Sequence, residues 1–168
     1  MSNASSTKRA QAIAQGFRQL AGPQKRDLQK VLGQTAVAQA QLGIRASRTP
    51  YGNPFEALKT RVGKPLQRTG NNIQRSWTAG QEAPTSFRFG NRFKWLMTHQ
   101  RGAVITPVRA RWLQFRTELF GWVKAKKVVI PKRQMVPEEL TGGLGKIWTQ
   151  AFTRTAERYV LKLFRGAR

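Results

Sequence analysis

Apolar positions in the first quarter of the chain recur at helical spacing. Ala10, Ile13, Ala14, Phe17, Leu20 and Ala21 lie three and four residues apart, and Ser5 or Ser6 can cap the helix they predict. Gly22-Pro23 ends that helix and opens a second, since proline is preorganised for a first helical position. Leu28, Val31, Leu32, Thr35, Ala38 and Leu42 form the predicted stripe of the second helix, and Gly43 is its predicted stop. The periodicity then vanishes. Over 45–70 the turn formers Pro50, Gly52, Asn53, Pro54, Gly63, Pro65 and Gly70 alternate with the isolated apolar anchors Tyr51, Phe55, Leu58 and Leu66. So long a loop is either a mobile linker or an interaction element, and its apolar anchors favour the second.

Beyond residue 70 the pattern turns toward strands. Residues 73–78 predict a helical turn running into a strand, 80–84 a turn, and 85–89 a returning strand. Asn91 can cap a short helix carrying Phe93, Trp95, Leu96 and His99 and closed by Gly102, and 103–106 is short and apolar. The β-favouring run that follows predicts strands over about 109–116 and about 119–130, joined by a tight turn and closed by Pro131 and Pro137. A last helix is predicted over 144–164, with Ile147, Trp148, Ala151, Phe152, Thr155, Tyr159, Val160, Leu163 and Phe164 as a broad apolar face. The predicted fold is α+β. N-terminal helices and a C-terminal helix pack on a small curved antiparallel β-sheet, within a single domain spanning 1–168. Its parts are a helical 1–44, an extended loop or arm at 45–70, a β-rich core with a short helix at 71–137, and a C-terminal helix at 141–168.

The charge changes the picture. In 168 residues there are 31 Lys+Arg against 7 Asp+Glu, a formal net charge of +24 spread along the chain. A domain this basic repels itself, so DNA, RNA, a membrane surface or an acidic protein is its expected neighbour. Absence of cysteine removes disulfides and thiolate metal sites. The single histidine, His99, argues against a zinc site and reads as a hydrogen-bonding residue at a helix end. No apolar run approaches the ~20 residues of a membrane span, and the N-terminus lacks a signal-peptide run, so a product of the cytoplasm that binds no membrane is expected.

Catalysis needs a base, a nucleophile or a metal, and the scattered acids supply none; Glu138-Glu139 after Pro137 suits a helix start or a surface turn. No phosphate-binding loop or dinucleotide fingerprint is present. The chain therefore reads as a non-enzyme without catalytic residues, metal or cofactor. Basic and aromatic residues interleave at Phe87-Arg88-Phe89, Arg92-Phe93-Lys94-Trp95 and from Arg111 to Arg116. Such alternation suits phosphate contacts with base stacking, or a strand with one core face and one charged face; the strand reading is preferred for the aromatics. Lys124, Lys126 and Lys127, with Arg154, Arg158, Lys162 and Arg165 beside the apolar face of the last helix, are the candidates for contact with DNA or an acidic partner.

Four stretches taken in order, TPYGNPFEALK, KPLQRTGNNIQRSW, Phe89-Gly90 with HQRGA, and IPKRQMVP, resemble the phage virion-morphogenesis family of tail-completion and tail-terminator proteins. Pro50 to Leu58 looks like that family's Pro-x-Gly-x-Pro-aromatic-x-x-Leu loop. Leu66 to Ser76 looks like its Leu-x-x-Thr-Gly-x-(apolar)-x-x-Ser element. Asn71-Asn72-Ile73 stands where a shorter Arg/Lys-Leu pair is common, and Met135 where Phe is common. The resemblance implies helices on a curved antiparallel sheet and a homo-oligomeric ring, hexamer or dodecamer, at the head–tail junction of a virion. It further implies connector, neck and tail-tube proteins as neighbours and DNA in the lumen. Tyr51, Pro54, Phe55, Leu58, Leu66, Thr69 and Gly70 are then the expected subunit or partner contacts, with 49–58 lying on an adjacent subunit. The rival expectation, a non-specific nucleic-acid-binding protein, rests on charge alone.

Overall fold

A computed structural model describes residues 15–16, 18–59, 62–67, 72–83, 86–138 and 143–165. Gln15, Gly16, Arg18 and Gln19 are helical, and the rest of the predicted first helix up to residue 14 lies outside the described residues. The long helix α1 spans Gly22–Ala46. A single turn α2 (Asn72–Arg75) leads into strands β1 (Trp77–Ala83) and β2 (Ser86–Asn91). A short helix α3 (Leu96–Arg101) follows, then β3 (Ala103–Ile105), β4 (Leu113–Thr117), β5 (Gly121–Ala125), β6 (Val128–Ile130) and the last helix α4 (Gly145–Arg165). The architecture is α+β, with both long helices packed among antiparallel strands.

Pro23 starts α1 as its ring geometry dictates, and the Gln24 side chain reaches back to accept the Ala21 amide at 2.9 Å. The helix passes the predicted stop at Gly43 by three residues, because Ser47 takes the left-handed conformation (φ 53°, ψ 44°) that ends it. Its last carbonyls are satisfied from outside. The Gln67 side-chain nitrogen, Nε2, donates to the Ile44 carbonyl at 2.6 Å and the Arg45 carbonyl at 3.0 Å.

The buried face of α1 is not the predicted stripe. Gln29, Gly33, Ala36, Ala40 and Ile44 face inward together with Leu28, while Leu42 is exposed. At 100° per residue this face lies roughly 150° round the helix from the predicted one. The physical reason is size. Alanine and glycine weigh little in a hydropathy pattern, yet they let α1 approach the β1–β2 hairpin closely; a β-carbon built on Gly33 would lie 3.0 Å from that of Ala79. Val31, Thr35 and Ala38 instead line a groove shared with α4, where the Thr35 hydroxyl bonds to that of Thr155 at 3.2 Å.

The core joins Ala36, Ala40 and Ile44 of α1 to Phe55, Ile73, Trp77, Met135 and Trp148. A relay of rings runs through it. Trp77 stacks on Phe89 at 5.7 Å, Phe89 meets Trp148 at 5.8 Å, and Trp148 meets Phe152 at 6.0 Å. On β2, Phe87 and Phe89 are half-buried against this core while Arg88 points outward and pairs with Glu82, so the strand reading of Phe87-Arg88-Phe89 holds.

Three strand predictions are corrected. The turn expected over 80–84 is strand over its described part: β1 runs through Gly80 to Ala83, with a register irregularity between Gln81 and Ala83. The long strand expected over 119–130 divides at Lys126-Lys127 into β5 and β6, which pair with different partners. Among the described residues the single curved sheet is replaced by three two-stranded antiparallel ladders, β1–β2, β3–β6 and β4–β5. Hydropathy marks β-rich segments but not which segments pair; that is set by long-range contacts.

Candidate functional site

The motif stretches singled out in the sequence meet at the C-terminal end of α1. Arg48 bridges Pro54, closing a tight turn in which the Thr49 amide donates to the Asn53 carbonyl at 2.8 Å and the Thr49 hydroxyl accepts the Asn53 amide at 3.1 Å. The Phe55 amide then donates to the Ser47 carbonyl at 2.7 Å, which turns the Phe55 ring into the core. The expected arm is thus folded onto its own chain, and Phe55, expected at a subunit contact, is a core residue. Tyr51 is half-buried; its hydroxyl donates to the Gly143 carbonyl at 3.2 Å and its ring lies against the backbone of Gly145 (φ +72°). Pro54 is exposed, Leu58 is half-buried, and Leu66, at φ 61°, packs against the core. Thr69 and Gly70 lie outside the described residues.

A buried polar junction joins the other two motifs. The Gln100 carboxamide is only 3% exposed. Its oxygen accepts the amides of Met135 at 2.7 Å and Val136 at 3.3 Å, and its nitrogen donates to the Val136 carbonyl at 2.8 Å. The Arg133 amide donates to the His99 carbonyl at 2.8 Å. Gly102, at φ +75°, fits where a β-carbon would come within 3.0 Å of the Ile130 carbonyl and the Lys132 amide. Ala103 then pairs with Ile130 as β3 meets β6. The Arg133 guanidinium is buried and donates to the Glu56 carbonyl at 3.4 Å, tying this junction to the loop after α1. Burial, and then the Arg133 charge, push the His99 pKa below its ordinary 6.5, which favours the neutral ring. These groups connect backbone segments. Among the described residues no three His, Cys, Asp or Glu side chains converge as metal ligands.

The outward chemistry lies on the β4–β5 hairpin. Its register pairs Leu113 with Ala125, Gln114 with Lys124, Phe115 with Val123 and Arg116 with Trp122. Leu113, Phe115, Val123 and Ala125 are half-buried on one face, while Gln114, Arg116, Trp122 and Lys124 are exposed on the other. The same alternation places exposed Trp112 and Lys126 one rung further on, with the Lys126 ammonium 5.3 Å and the Arg111 guanidinium 5.9 Å from the Trp112 ring centre. Of the aromatics in the 111–116 run, Phe115 lies on the half-buried face, as the strand reading expects, whereas Trp112 lies on the charged face, which it shares with Trp122. Lys127 is exposed just after this face. Arg154, Arg158 and Lys162 are exposed on α4, the last two lining its groove with α1, and the Arg165 side chain is outside the described ones. The two basic sets lie on separate elements, the hairpin and α4.

Sequence reasoning missed the Gln100 junction and the aromatic character of the hairpin's charged face. The signal for the second was present, since Trp112, Gln114 and Arg116 share a parity that Leu113 and Phe115 do not. No helix among the described residues is long and apolar enough to cross a membrane. No protein-family model, curated protein or solved structure matches the chain.

Proposed function

We propose that this chain is a structural virion protein of the head–tail junction, a tail-completion, tail-terminator or neck component that closes into a homo-oligomeric ring around the DNA path. It acts by binding neighbours and not by turnover. The observation that carries this reading is the state of the strands. Among the described residues every ladder has only two strands, and such ladders are marginal by themselves. On β3–β6, Val104 and Val129 pair directly and are 61% and 58% exposed. Open edges beside exposed apolar faces suit completion by a neighbouring chain, and a closed ring gives each subunit such a neighbour on both sides. The convergence of the family-like stretches at one end of α1 supports the same reading.

Electron microscopy of the purified protein, with light scattering on the same sample, tests it. Closed rings are expected, and Val104→Lys is expected to return them to monomers of unchanged helix content. A wild-type chain that stays monomeric at about 100 times the micromolar range typical of weak association sinks the ring, and absence from purified virions sinks the virion assignment. The exposed tryptophans among lysines favour a second reading, a nucleic-acid-binding protein that acts as a monomer.

A further inference from the structure

We propose that the outward face of the β4–β5 hairpin binds a single strand of nucleic acid, with phosphates on Arg116, Lys124 and Lys126 and a base stacked on Trp122. The face is built from successive cross-strand rungs. Arg116 faces Trp122, Gln114 faces Lys124, and Lys126 lies over Trp112. Trp122 is 70% exposed, and among the described residues no ring or cation covers it. Four residues of strand set the two tryptophan positions roughly 13 Å apart along the ladder, with Lys124 on the rung between them and Arg116 and Lys126 beside the rings.

Charge selects the occupant. None of the paired positions on this face is acidic and the hairpin's one carboxylate, Glu118, lies in its turn, so a second copy would set Arg116, Lys124 and Lys126 against the same cations. A polyanion is complementary. A flat ring standing clear of the strand adds a requirement beyond charge, namely a planar π-face to stack on. Unpaired bases offer one, whereas a duplex hides its base faces in the stack. The inference does not depend on ring formation.

The test is binding of a labelled oligothymidylate of about 20 nucleotides, long enough to exceed one site, to the full chain, with a duplex of equal length alongside. Trp122→Ala is expected to weaken single-strand binding at least about fivefold while leaving the salt slope unchanged, because stacking carries no counterion release. The Lys124→Ala/Lys126→Ala double variant is expected to lower that slope by about 1.4. Trp122→Phe, which keeps a ring, is expected to retain more than half of the affinity and guards against misreading a folding defect. Single-strand binding that falls less than fivefold in Trp122→Ala overturns the inference, as does an equal loss on duplex and single strand. So does Trp122→Ala losing only its binding to phosphatidylglycerol vesicles. Rings scored on the same samples keep this result separate from the assembly reading.

Discussion

The Gln100 carboxamide oxygen lies 2.7 Å from the Met135 amide, and through this bond a side chain of α3 holds the extended segment that crosses the core. Gln100→Leu leaves the Met135 and Val136 amides and the Val136 carbonyl without this partner inside the protein. Each buried unsatisfied group costs about 1–3 kcal/mol, so a loss of several kcal/mol is expected. Urea unfolding should show a lower midpoint with an unchanged slope. A stability change under ~0.5 kcal/mol, the range of inconsequential surface substitutions, would mean that the junction is not structural.

His99 predicts a pH dependence whose sign is fixed. With the folded pKa lowered below 6.5, the unfolded chain binds a proton in the interval where the folded chain does not. Stability is therefore complete above about pH 6.5 and falls as pH drops from there toward the folded value. Since His99 is the only histidine, His99→Gln should flatten the difference in Tm between about pH 7.5 and about pH 5.5. An unchanged difference in the variant would refute the assignment.

Gly33 sits where α1 meets β1 and the Phe87 ring, with a built β-carbon 3.0 Å from Ala79 and 3.4 Å from Phe87. Gly33→Leu forces the hairpin away from the helix, and overpacking of this kind costs about 1–3 kcal/mol or more. Thermal unfolding should place this variant well below Gly33→Ala, in which a helix-propensity gain of about 1 kcal/mol opposes a much smaller intrusion. Equal melting points for the two would contradict the close packing.

Trp148 is the hub of the ring relay and is 2% exposed. Trp148→Ala should cost about 3–5 kcal/mol and leave the chain with helical signal but weakened near-ultraviolet circular dichroism. A near-native melting profile would show that α4 docks without it.

Helices were legible in this sequence because their signal is local. Pro23, the apolar face from Ile147 to Leu163 and Gly102 place α1, α4 and the end of α3 within a few residues. The inward face of α1 was not legible, since Gly33, Ala36 and Ala40 are chosen for closeness to a partner that only the fold supplies. Nor was the Gln100 junction, whose backbone partners at Met135 and Val136 lie 35 and 36 residues away in the chain.

By itself, then, the sequence determined the α+β class, the large positive charge, the absence of thiol chemistry and the parity that puts Trp112 with Arg116. Each of these follows from composition or from periods of two and 3.6 residues. The tertiary structure alone decided that Phe55 belongs to the core, that the strands among the described residues form three ladders instead of one sheet, and that Trp122 stands in solvent among cations. Those outcomes depend on which distant segments pair and on which side of each ladder finds something to bury against, and no local pattern carries that information.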